Sequence, residues 1–78
     1  GNFRKEEPMT DAKKFNDQIE LLGITISALS RRAHVSRKRI YALKAGSEAS
    51  ASEIVGLSKA LLLDDLQRDA IFLAPERE

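Results

Sequence analysis

The chain contains no cysteine and no tryptophan, a single histidine, two prolines and four glycines in 78 residues. Without cysteine there is neither a disulfide scaffold nor a thiolate metal site. One histidine with no cysteine leaves few groups for catalysis or metal binding, and so small a core leaves no deep pocket. The expectation is therefore a protein that is not an enzyme and carries no cofactor or metal. Long apolar runs are also missing. The longest, Ala70 to Ala74, has five residues, against roughly 20 for a membrane-spanning helix. Few glycines and prolines speak against disorder or a β-rich fold. What is present is a hydrophobic fraction of 42%, enough for one compact helical core. These features together lead one to expect a small soluble domain inside a cell.

Charge of one sign is missing from the middle of the chain. Residues 21–47 hold Arg31, Arg32, Arg37, Lys38, Arg39 and Lys44 and no carboxylate, a block of +6. Residues 1–20 sum to −1 and residues 48–78 to −4, so a formal charge of +1 conceals a polarised molecule. A basic block of this kind faces an anion, most commonly nucleic acid.

Residues 1–8 show no hydrophobic period and read as a flexible leader left by recombinant expression, with Met9 as the natural start. The folded domain is expected over 9–74, with 75–78 as a frayed polar tail. Within it the spacing predicts five helices. The first runs from Asp11 to Leu22, capped by Thr10 or Asp11, with Ala12, Phe15, Ile19 and Leu22 in one stripe and Gly23 after it. Thr25 caps a second helix from Ile26 to Ala33. Ser36 caps a third from Arg37 to Ala45, stopped by Gly46. So short a link between the second and third helices forces a steep crossing, as in a helix-turn-helix. Ser50-Ala51-Ser52-Glu53 is a capping box opening a fourth helix, whose stripe is Ile54, Leu57, Leu61 and Val55. Gly56 inside it costs roughly 1 kcal/mol relative to alanine and signals a close helix approach. A fifth helix starts after Asp64 and runs to Ala74. Its apolar set, Leu66, Ala70, Ile71, Phe72 and Leu73, exceeds one face. Ile71 and Phe72 are left as either core or a partner-binding surface. No strand pattern is present.

On the third helix, placing Ile40 and Leu43 toward the core turns Lys38 almost directly outward. Tyr41 and Ala42 flank it, Arg37 lies at one edge and Arg39 at the other. A major groove admits one such helix, and arginine or lysine on guanine O6 and N7 is the commonest specific contact. Arg37 and Lys38 are thus the expected base readers, with Tyr41 and Ala42 adding apolar contact to a thymine methyl. Arg31, Arg32, Arg39 and Lys44 are expected on phosphate, as are the helix starts at Thr25 and Ser36.

Gly23-Ile24-Thr25, Leu29-Ser30, Val35-Ser36, Ile40, Leu43, Gly46 and Ala60-Leu61 resemble the pattern of the Cro/C1-type (XRE) helix-turn-helix family of bacterial and phage transcriptional regulators. The resemblance spans about 44 of 78 residues. It implies an all-α, five-helix, lambda-repressor-like domain that binds double-stranded DNA as a homodimer on a two-fold related operator. By implication the protein is a cytoplasmic regulator, acting as a repressor by blocking polymerase. The chain departs from the family pattern in three places. His34 replaces the turn glycine, Ile26 the glutamine that often opens the second helix, and Lys44 an acid that often pairs with the first helix, where Ile19 stands opposite. The alternative reading is an interaction module (an antitoxin, anti-repressor or adaptor) on the same fold.

Overall fold

The computed structural model describes residues 9–74; the leader and tail expected at 1–8 and 75–78 lie outside the described residues. Five helices occupy that stretch: α1 (Ala12–Leu22), α2 (Ile26–Ala33), α3 (Arg37–Lys44), α4 (Ala51–Ala60) and α5 (Asp65–Phe72). Local chemistry explains each start. The side chains of Asp11, Thr25, Ser36, Ser50 and Asp64 each accept a hydrogen bond from the backbone N–H three residues on, which satisfies one of the donors a helix leaves open. At α4 and α5 the bond is reciprocated. Glu53 and Gln67 accept from the backbone N–H of Ser50 and Asp64. Of the two candidate caps on α1, Asp11 fills the role, while Thr10 is buried and its hydroxyl has no partner among the described residues.

Helix ends follow from residues that accept a left-handed backbone. Gly23 closes α1 at φ 66° and His34 closes α2 at φ 58°. Histidine tolerates this region better than most side chains, at some strain. Leu62, in the turn after α4, also lies at φ 58°, a position that costs a leucine more. α3 ends at Lys44 rather than Ala45, and Gly46 at φ 103° turns the chain away. α5 ends at Phe72, two residues before its expected end. Ala74 instead pairs with Met9, each N–H donating to the other's carbonyl at 2.9 and 3.2 Å. This isolated bridge is the one β-type pairing among the described residues, and it ties the entry of α1 to the exit of α5.

The core is a single cluster. Phe15, Leu29, Ile40, Leu43, Leu57, Leu61 and Phe72 have essentially no exposed surface, and Ile19, Ala33, Val35, Ala49 and Ile71 complete the interior. Phe15 and Phe72 meet edge to face, with ring centroids 5.7 Å apart, a favoured aromatic geometry. Two expectations are corrected here. Ile71 and Phe72 belong to this core and offer no surface to a partner, because α5 turns that face onto α1. Val55 is not in the α4 stripe but 55% exposed, as the helix buries Leu57 and Leu61 instead. The excess apolar residues of α5 face outward, with Leu66 82% and Leu73 46% exposed.

α2 packs most extensively against α4, and α1 packs on α3 and α5. Gly56 makes the first contact possible, since a Cβ there would overlap the Ala33 carbonyl oxygen. α1 also reaches two carbonyls at the ends of its neighbours. The side-chain amide of Asn16 donates to Lys44 O (3.3 Å) and that of Gln18 to Leu61 O (3.0 Å). Helix C-termini leave such carbonyls open, so α1 holds the ends of α3 and α4 in place. No helix among the described residues is long and apolar enough to cross a membrane.

Candidate nucleic-acid interface

α3 is pinned from beneath by Ile40 and Leu43, both fully buried. Four of its residues are thereby oriented: Arg37, Lys38 and Tyr41 stand exposed on the far side, and Ala42 is half-buried beside them. The connection to α2 is short and tightly bonded. The Ser30 hydroxyl donates to Val35 O at 2.6 Å, and Val35 N–H donates to Ser30 O at 3.2 Å. With Val35 buried, the His34–Ser36 link holds the start of α3 against α2. Arg37 reaches back toward the α2 start, its guanidinium 3.5 Å from the Ser27 hydroxyl.

Both helix starts are exposed at Thr25 and Ser36. Arg31 and Arg32 are exposed in the last turn of α2, where they also complement the helix dipole. Lys44, in the last turn of α3, is half-buried. Ile26 packs on the core, which accounts for an apolar residue at the opening of α2.

Arg39 departs from its expected role. Its guanidinium forms a two-pronged pair with Glu53 of α4 (Nε–Oε2 2.8 Å, Nη2–Oε1 3.0 Å) and donates also to Glu48 O at 3.0 Å. The Glu53 side chain is only 14% exposed, and a carboxylate that secluded is costly to leave unpaired. Arg39 therefore ties α3 to α4, with its Nε and Nη2 committed there rather than turned outward. The pair lowers the Glu53 pKa through the hydrogen bond from Arg39, with a further contribution from the Ser50 N–H and against the opposing effect of burial. The same hydrogen bond raises Arg39. Sequence reasoning missed this link because 14 residues separate the partners. The one available signal was that Glu53 follows the long acid-free block closely.

The arrangement offers hydrogen-bond donors and positive charge on one outward face. No group of three or more metal-binding side chains exists among the described residues. No family model, curated protein or solved structure matches this chain.

Proposed function

We propose that this chain is a sequence-specific, double-stranded DNA-binding domain of a transcriptional regulator, a repressor in the first instance. In this reading α2 and α3 form the helix-turn-helix of a lambda-repressor-like fold in a Cro/C1-type regulator. α3 enters the major groove with Arg37 and Lys38 toward base edges and Tyr41 and Ala42 alongside. Arg31, Arg32, Lys44 and the helix starts at Thr25 and Ser36 hold phosphates. The observation that carries the reading is the exposed cationic start of α3 fixed by fully buried Ile40 and Leu43.

The reading includes a homodimer that sets two α3 helices one helical turn apart, working in the bacterial cytoplasm. A shallow groove between α1 and α5, lined by Leu21, Gln67 and Ala70, supports the choice of a second copy as partner. Leu66 protrudes from the same α5 one turn before Ala70, so a two-fold pairing buries knob and groove on both chains at once.

Titration of a random-sequence duplex across a salt series tests the proposal. About 3–5 phosphates neutralised per chain give a log–log slope of about −3 to −4.5 per bound chain. A binding constant that stays flat between about 50 and 200 mM salt would refute it.

A further inference from the structure

The recognition face is one-sided in its hydrogen-bonding chemistry. From residue 21 to residue 47 the chain has no aspartate, glutamate, asparagine or glutamine. The two cations at the start of α3 are donors only. The hydroxyls around them already accept a bond: Thr25 from Ala28 N–H, Ser36 from Arg39 N–H and Ser27 from the Arg37 guanidinium. Each keeps its proton to give and one further lone pair, so these hydroxyls suit a donor or an acceptor alike and do not discriminate. Of the first two carboxylates that follow the block, Glu48 lies beyond the end of α3 and Glu53 is taken up by Arg39 and the Ser50 N–H. The side-chain amides of Asn16 and Gln18 are engaged on α3 and α4 carbonyls. His34 lines a different groove, with Ser52 and Val55 of α4.

Base edges differ in what they demand. Adenine is matched in two-pronged fashion by a carboxamide, which gives one bond and accepts one. The cytosine amino group needs an acceptor, commonly a carboxylate. Guanine offers two adjacent acceptors, N7 and O6, and is satisfied by donors alone. A face whose cations stand without any carboxylate or carboxamide beside them therefore meets guanine in full, and meets adenine and cytosine without their two-pronged or anionic partners.

Resting on the DNA-binding reading, we infer that Arg37 and Lys38 give this domain a specificity for guanine, read in the major groove through N7 and O6. Adenine and cytosine are discriminated against for want of a carboxamide or carboxylate on α3. Beyond the guanines, the exposed Tyr41 ring and the Ala42 methyl favour a thymine methyl over a bare pyrimidine edge. Reversing a contacted G·C pair to C·G places the cytosine amino group before two cations.

The test uses the full 78-residue chain and a duplex pool with a random central segment, selected at low salt. Each half-site of the enriched sequence is expected to contain guanine. The enriched duplex is then remade with 7-deazaguanine, which has C–H in place of N7, or with inosine, which keeps N7 and O6 and lacks only the minor-groove amino group. 7-Deazaguanine at the contacted positions weakens binding by about 5- to 150-fold, whereas inosine leaves it within about twofold. Arg37→Ala and Lys38→Ala, with unchanged helical circular dichroism, reduce the 7-deazaguanine effect. Enrichment without guanine, or equal losses from both analogues, would overturn the inference while leaving DNA binding intact. A pool not retained at all would overturn the proposed function and this inference together.

Discussion

Replacing Gly56 with alanine separates local from tertiary energetics. In an isolated helix the change is favourable by about 1 kcal/mol. In this fold the new methyl would overlap the Ala33 carbonyl oxygen and lie 3.2 Å from the carbonyl carbon. An ordinary carbon–oxygen contact is about 3.3 Å or more, so relief requires α2 and α4 to part by about 1 Å. The obstructing atoms are backbone, so no side-chain rotamer can give way. Overpacking costs about 1–3 kcal/mol, and backbone obstruction puts this site at the upper end. Against the propensity gain the net loss is about 2 kcal/mol. A chain of 78 residues has about 4–12 kcal/mol in all, so the loss is a large share. With a urea dependence of about 1 kcal/mol/M, the midpoint followed by circular dichroism falls by about 2 M, and Tm by about 8–16 °C. Ser58→Ala, two residues on, is the control. Its hydroxyl is buried without a partner among the described residues, so the variant matches or exceeds the parent. A Gly56→Ala midpoint at or above that of the unaltered chain would refute the close-approach argument.

Glu53→Gln breaks the two-pronged pair with Arg39 and costs about 1–2 kcal/mol at neutral pH. Because the folded-state pKa of Glu53 lies below its ordinary value of 4.5, its stabilisation is complete above that value and is lost as pH falls through the folded pKa. Urea midpoints of parent and variant thus converge as the pH falls below the ordinary carboxylate range; a gap of constant size would contradict the assignment. His34→Gly relieves the left-handed backbone at φ 58° and raises stability by about 0.5–1 kcal/mol, measured in the same way, with duplex affinity unchanged. Arg31→Ala weakens all duplexes alike and makes the salt slope shallower by about 1, whereas Arg37→Ala changes sequence preference. Identical profiles for these two variants would reject their separate roles.

Helix starts were legible in the chain because the forces that make them are short-ranged. Thr25, Ser36, Ser50 and Asp64 each reach an N–H three residues ahead, and the α2 limits agree with those read from the sequence. The orientation of α3 was legible for a related reason: two apolar residues three apart define one buried side. α5 was not. It carries more apolar residues than its neighbours can cover, and periodicity alone does not say that Ile71 and Phe72 go inward while Leu66 goes out. Val55 failed likewise, since α4 lends only part of its apolar surface to the core.

By itself the order of residues determined an all-helical chain with its caps, its buried leucines and isoleucines, and an acid-free basic stretch whose outer side is Arg37 and Lys38. Tertiary structure alone decided that Arg39 is withdrawn to Glu53, that Asn16 and Gln18 hold the ends of α3 and α4, and that Gly56 lies against Ala33. Capping and amphipathic spacing act within one or two turns, so they are written locally. Pairings between helices depend on how those helices are laid together, and that arrangement exists only once the core around Phe15 and Phe72 has closed.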